Sequence, residues 1–137
     1  EAAIRQMVKA GKAPKEAKVV ILGLTFKENC PDIRNSKVKD IIDCLKGYDI
    51  QPIVCDPWAD VAEAKREYGV ELIDYHDVQE ADCLIFAVAH KQFKDLSMAE
   101  IDKMYKTVSP DQKVLIDVKN IFSLEILRQM GYKYWKL

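Results

Sequence analysis

Two cations stand close together in the polar stretch TFKENCPDIRNS, residues 25–36: Lys27 and Arg34, accompanied by Phe26, Glu28, Asn29, Asp32, Asn35 and Ser36. Ser36, or Asn35, is placed to cap a helix that follows. Two cations beside a helix amino terminus form an anion site, by side-chain charge and by the helix dipole. Phosphate suits it, because arginine offers a planar fork and lysine a point charge. The other reading of the same residues is a solvated loop closed by an Arg34–Asp32 ion pair. A third cation, Lys119, lies in DVKN (Asp117 to Asn120), and a lone histidine, His90, lies in AVAHKQF. A single loop histidine is more often structural or exposed than a ligand.

These residues need elements to position them, and the apolar pattern supplies an alternation. Ala3, Ile4, Met7 and Val8 predict a helix over 1–11, stopped at Gly11. Its apolar stripe either docks on the sheet of this chain or ends a longer helix from a domain upstream. KVVILGL (18–24) is a continuous apolar run, as in a strand buried on both faces. A helix is predicted over 37–46, a strand at 52–55, a helix at 60–68 and a short strand at 70–73. A strand at 83–89, a helix at about 97–106, a strand at 113–118, a helix at 123–130 and an edge strand at 132–135 complete the series. This β-α rhythm predicts a Rossmann-like, doubly wound parallel sheet in a three-layer α/β/α fold. Such sheets bind ligands at the carboxyl ends of their strands, near the switch in strand order. Residues 24–36, 56–60, 89–93 and 117–122 therefore become the places to inspect, and Lys119 joins the rim that carries Lys27 and Arg34. Asp56 stands where dinucleotide-binding sheets place a ribose-binding acid, although an Asp56-Pro57 turn capping the next helix is the favoured reading. The first turn reads Gly23-Leu24-Thr25-Phe26-Lys27, neither G-x-G-x-x-G nor a P-loop, so the backbone cannot hug a pyrophosphate in the usual way.

Composition narrows the classes further. The chain has 137 residues, 49% hydrophobic and 31% charged, which suits one globular domain with a full core. Lys plus Arg number 21 and Asp plus Glu 22, a net charge of −1 that argues against a nucleic-acid partner. No apolar run reaches a membrane span. Cys30, Cys44, Cys55 and Cys83 form no C-x-x-C pair and have no histidine at ligand spacing, so neither zinc nor a structural disulfide is expected, and reduced cytoplasmic thiols are.

ILGLTFKENCPDIRNSKV resembles the hallmark of the UDP-glucose/GDP-mannose dehydrogenase family, at the start of its C-terminal nucleotide-sugar-binding domain. The pattern G-x-x-F-K followed by D-x-R-x-S is met by Gly23, Phe26, Lys27, Asp32, Arg34 and Ser36. Asp56-Pro57 and the D-x-K/R-x-x-F segment of Asp117, Lys119 and Phe122 also match, and the resemblance covers nearly the whole chain. It implies an enzyme that oxidises the C6 hydroxyl of a UDP-sugar to a carboxylate in two NAD-dependent steps through a cysteine thioester. Phe26 and Lys27 would contact the nucleotide sugar. Lys119 falls where many relatives carry a substrate-binding arginine, and Arg34 would reach across the interdomain cleft to NAD. Residues 1–12 would end the central helix of the parent enzyme and 13–137 would form the UDP-binding domain. The parent would be a cytoplasmic homodimer or higher oligomer. The wording of the first motif is most similar to bacterial members acting on UDP-N-acetylhexosamines for capsule and other polysaccharide synthesis.

Two departures matter. The G-x-C-x-x-K-D segment of the family's catalytic cysteine is absent, as is the NAD fingerprint. The chain, which starts at Glu rather than Met, is therefore expected to be a fragment with no catalytic residue, inactive alone, with NAD held mainly by a missing N-terminal domain. A flavodoxin-like signalling module is disfavoured, because strand one ends in Gly23-Leu24-Thr25 without a receiver's acidic pair. A stand-alone nucleotide-binding module is the remaining alternative.

Overall fold

The computed structural model describes residues 2–137. Six strands form one sheet: β1 (Val19–Leu22), β2 (Ile53–Cys55), β3 (Leu72–Ile73), β4 (Cys83–Phe86), β5 (Val114–Asp117) and β6 (Lys133–Lys136). All pairings are parallel, in the order β3-β2-β1-β4-β5-β6. This is the double winding expected from the sequence. Every crossover is long enough to carry helix or turn, as parallel strands require.

Alternation along each strand decides which residues meet which layer. Val19 and Ile21 of β1, with Cys83, Ile85, Val114 and Ile116, pack against α1 (Ala2–Lys9), α2 (Val38–Gly47) and α3 (Val61–Tyr68). Val20 and Leu22, with Leu84, Phe86 and Leu115, pack against α4 (Lys91–Lys94), α5 (Met98–Asp102) and α6 (Leu124–Met130). Strands buried on both faces explain why 18–24, 83–89 and 113–118 read as continuous apolar runs rather than alternating ones. Residues 87–89 run on past the pairing of β4. The helix predicted over about 97–106 starts at a Ser97–Glu100 capping box but ends at Asp102, because Met104 to Lys106 leave it to pair with Ala81. The four-residue α4 was not expected, being too short to show a period.

The helix predicted over 1–11 docks on the sheet of this chain, against β5 and β6, with Met7 fully buried. Glu1 and the side chain of Ala3, both part of that expectation, lie outside the described residues. Lys12, just past α1, pairs at 3.1 Å with Asp82, which also accepts the Lys18 N–H at 2.8 Å and Lys106 Nζ at 3.0 Å. Asp82 thus ties the exit of α1 to the amino edge of the sheet. Met7→Ala is expected to cost about 2–5 kcal/mol, the range for emptying a buried methionine site. A urea denaturation midpoint equal to that of the parent chain would show that α1 is not docked. No helix among the described residues is long and apolar enough to cross a membrane.

Candidate functional site

The strand order reverses between β1 and β4, so the crevice opens above their carboxyl ends. Gly23 closes its floor. Its φ is +114°, and a Cβ built there would lie 2.6 Å from Val88 Cβ and 2.7 Å from Val88 N. Only glycine allows β1 to end so close to the segment after β4.

The loop after β1 is fastened from beneath by Asp56. Oδ2 of Asp56 accepts the N–H groups of Leu24 at 2.6 Å and Thr25 at 3.0 Å, and Oδ1 accepts those of Trp58 at 2.7 Å and Ala59 at 3.1 Å. His90 Nε2 lies 3.0 Å from Oδ2, with both side chains fully buried. Burial acts to raise the pKa of Asp56, but the hydrogen bonds from His90, Leu24 and Thr25 outweigh it and hold the carboxyl below its ordinary range. The favoured turn reading of Asp56 therefore holds, with one correction: it caps the 56–59 turn, while α3 is capped by Asp60, whose side chain accepts the Glu63 N–H at 2.9 Å.

Further ties make the loop a fixed shape. Ser36 Oγ donates to the Leu24 carbonyl at 2.6 Å and accepts the Val38 N–H at 3.2 Å. Ser36 thus serves the start of α2 from one residue before the cap position, which is Lys37 and makes no side-chain cap. Tyr68 donates to the Ile33 carbonyl and accepts the Ser36 N–H at 3.3 Å, while the Ile33 side chain is fully buried. Asn29 and Asn35 adopt left-handed conformations, φ 55° and 56°, which asparagine tolerates better than most residues. Sequence reasoning missed Thr25, Asn29 and Tyr68 as loop supports. The available signal was asparagine at 29 and 35, a residue type enriched in left-handed turns.

On the outer side, Phe26 is 53% exposed and Lys27 is exposed. Among the described residues no side chain pairs with Lys27 or Lys119. Arg34 and Asp32 form the ion pair that the alternative reading anticipated, with Nε and one terminal nitrogen each 3.0 Å from the carboxylate. The hydrogen bonds from the Arg34 side chain and its backbone N–H hold Asp32 at about 2. This pairing does not exhaust the guanidinium, which has five N–H donors. Phe26, Asp32, Arg34 and Asn35 line one open cavity of about 160 Å³. Lys119 is exposed on the loop after β5, whose shape is set by the buried Asp117: its carboxylate accepts the N–H groups of Ile121 at 2.9 Å and Phe122 at 2.8 Å. Because β5 is the neighbour of β4 in a parallel sheet, this loop opens on the same edge as residues 25–36. The structure thus gathers Phe26 and Arg34 in one cavity and sets Lys27 and Lys119 along the same edge.

The contacts by which such a crevice usually holds a dinucleotide are already engaged within the chain. The N–H groups of Leu24 and Thr25, which follow β1, are already taken by Asp56, and Asp56 has both oxygens committed to the chain. A ribose-binding role for Asp56 is therefore not available, although a cleft of about 340 Å³ lies beside it, walled by Leu72, Ile73 and Tyr75. Among the described residues no group of three His, Cys, Asp or Glu is placed to hold a metal ion. No disulfide joins the four cysteines in the described structure. Burial pushes the Cys55 thiol up to about 12 and that of Cys83 upward as well, so neither is suited to be a nucleophile.

A family model described as the UDP-glucose/GDP-mannose dehydrogenase family, UDP binding domain, matches residues 20–124. The chain is 39% identical over 134 residues to protein CapL of Staphylococcus aureus, covering 98% of this chain and 30% of that protein. It is 41% identical over 116 residues to UDP-N-acetyl-D-glucosamine 6-dehydrogenase of Pseudomonas aeruginosa, covering 83% of this chain and 28% of the relative. Among solved structures, the UDP-N-acetyl-mannosamine dehydrogenase Cap5O of S. aureus superposes with TM-score 0.65 at 29% identity, over 98% of this chain and 28% of that one. An NDP-N-acetyl-D-galactosaminuronic acid dehydrogenase from Methanosarcina mazei superposes with TM-score 0.81 at 22% identity, over 98% of this chain and 27% of that one, which supports the fold. The chain spans about 30% of the length of the first of these relatives and less of the others.

Proposed function

Since the chain belongs to the UDP-glucose/GDP-mannose dehydrogenase family and carries its UDP-binding domain, we propose that it is the nucleotide half-site of an NAD-dependent UDP-sugar 6-dehydrogenase acting in the cytoplasm. The observation that carries this reading is the loop over 25–36. Its inner side is fastened by Asp56, His90 and Tyr68, while Phe26 and Lys27 face outward beside the switch point. The ammonium of Lys27 and that of Lys119 supply point charges for a diphosphate, and Phe26 offers an aromatic face. Lysine at 119 gives up the bidentate fork an arginine would offer there.

NAD belongs elsewhere in this reading, because the glycine fingerprint is absent here and the N–H groups after β1 are taken by Asp56. It would be held mainly by a domain outside this chain, and Arg34 would be the contribution of this domain. The Asp32 pair holds that guanidinium in one orientation, with N–H groups left over for an anion. Residues 1–12 would continue a central helix of the parent, with 13–137 as the UDP-binding domain and the parent a homodimer or higher oligomer. The N-acetylhexosamine class of substrate is favoured by the named activity of the P. aeruginosa relative. The thioester chemistry needs a cysteine outside this chain, so the chain alone is expected to be inactive.

The test is calorimetric titration of the chain with UDP, UDP-N-acetylglucosamine and NAD, alongside amide NMR spectra. UDP and the UDP-sugar are expected to bind with similar affinity and to shift resonances of residues 25–36, and NAD is expected not to bind. Lys27→Ala is expected to weaken UDP about ten- to hundredfold, the effect of one charge-assisted hydrogen bond. Loop resonances that stay in place at millimolar UDP would overturn the assignment of the site. Unchanged affinity in the Lys27 variant would remove Lys27 from it.

A further inference from the structure

His90 is a fully buried histidine for which the nucleotide reading has no direct use. It nevertheless touches that loop at two places. Its Nδ1 lies 2.9 Å from the backbone N of Asn29 and accepts that N–H. Its Nε2 lies 3.0 Å from Asp56 Oδ2 and 3.1 Å from Thr25 Oγ1. Thr25 in turn gives its hydroxyl proton to the Lys27 carbonyl at 3.0 Å. The proton inventory then closes in one way. Nδ1 accepts, so the ring proton is on Nε2. Thr25 spends its only proton on Lys27, so Thr25 Oγ1 and Asp56 Oδ2 share the single Nε2–H, each through a lone pair. The clasp is reciprocal, since the side-chain oxygen of Asn29 accepts the Lys91 N–H at 2.9 Å, at the first turn of α4. The ring itself is wedged beside Phe93 and Trp58, with centroids 5.5 and 6.4 Å away.

We propose that His90 is the positioning residue for Lys27: one imidazole holds the chain on both sides of Lys27-Glu28, at Thr25 and at Asn29, and so sets where the ammonium stands. This inference rests on the reading of residues 25–36 as the nucleotide site. His90 touches no ligand in it and acts through the backbone that carries Lys27.

The test separates positioning from bulk stability. His90→Asn retains an acceptor near the Nδ1 position, and His90→Gln retains a donor near the Nε2 position. Each keeps half of the clasp. Each is expected to weaken UDP by about tenfold, one hydrogen bond's worth. In a Lys27→Ala background the same changes are expected to weaken UDP no further, because the residue they act through is gone. Losses that add in the double variants would overturn the proposal in favour of a general structural role. The unmodified chain provides a second arm that survives any failure of the variants to fold. Its histidine nitrogen spectrum is expected to show the Nε2–H tautomer, and the Asn29 amide is expected to exchange slowly. An Nδ1–H tautomer or an unprotected Asn29 amide would overturn it. Absence of UDP binding by the parent chain, with tautomer and protection as expected, would instead sink the nucleotide reading and leave the hold of His90 on the loop in place.

Discussion

Gly23→Ala is expected to abolish cooperative folding or to lower the melting temperature by more than about 10 °C. The added Cβ would meet Val88 Cβ at 2.6 Å, Val88 N at 2.7 Å and Val88 Cγ2 at 2.8 Å. A flexible side chain could move aside, but one of these atoms is backbone, in the segment that leaves β4. The φ of +114° adds strain for any residue with a Cβ. Overpacking costs about 1–3 kcal/mol and a disallowed conformation about 1–3 kcal/mol more. Their sum is a large part of the 5–15 kcal/mol that holds an ordinary domain together. At a few degrees per kcal/mol, the shift should exceed that of any surface substitution. The same clash would push β1 away from β4 at the mouth of the crevice, so any protein that remains folded should bind UDP poorly. A melting temperature within a few degrees of the parent, by circular dichroism, would show that the two strand ends do not approach this closely.

Asp56→Ala is expected to be nearly as damaging, by the opposite means. It removes the acceptor for four backbone N–H groups, those of Leu24, Thr25, Trp58 and Ala59, and leaves His90 without its carboxylate. Each buried N–H group left without an acceptor costs about 1–3 kcal/mol, and four N–H groups lose theirs at once. Asparagine should not rescue it, because its amide nitrogen would face N–H donors where a carboxylate offers only acceptors. Urea denaturation of both variants checks this, and an asparagine variant as stable as the parent would show that the charge is dispensable. A pH dependence follows from the same residue and from Asp82. Burial acts to raise both carboxyls, yet hydrogen bonds from His90 and backbone hold Asp56, and those from Lys18, Lys106 and Lys12 hold Asp82, below the ordinary range. Their folded-state values are thus below the unfolded value of about 3.9. The stability they contribute is complete above that pH and is lost as pH falls through the folded-state values. Urea midpoints are therefore expected to be steady near neutrality and to fall steeply in acid. A midpoint that holds constant down to pH 3 would show that neither carboxylate is held in this way.

Much of this molecule is legible in its sequence. Continuous apolar runs at 18–24, 83–89 and 113–118 identify strands covered on both faces, and their alternation with helical stretches dictates a parallel, doubly wound sheet. That in turn places the loops after β1 and β5 on one edge, which is why Lys27, Arg34 and Lys119 could be named together. The motif Gly23, Phe26, Lys27, Asp32, Arg34 and Ser36 carried the family, which the match over residues 20–124 bears out. The limits fell where signals were short or shared. α4, with four residues, has no period to read, and α5 ends early because Tyr105 bridges to Ala81, a pairing more than twenty residues away in the chain.

The sequence by itself determined the architecture, the family and the residues on the rim, because hydrophobic period and motif spacing are local properties of the chain. Tertiary structure alone decided what Asp56 and His90 do. Asp56 lies 32 residues from Leu24 and 34 from His90, and nothing local distinguishes an aspartate that binds a ribose from one that binds the backbone of a distant loop. The distinction depends on which N–H groups the folded chain leaves without partners, and only the assembled strand ends show that. The need for glycine at 23 has the same origin, because it arises from Val88, which the chain brings into contact only once β1 and β4 lie side by side.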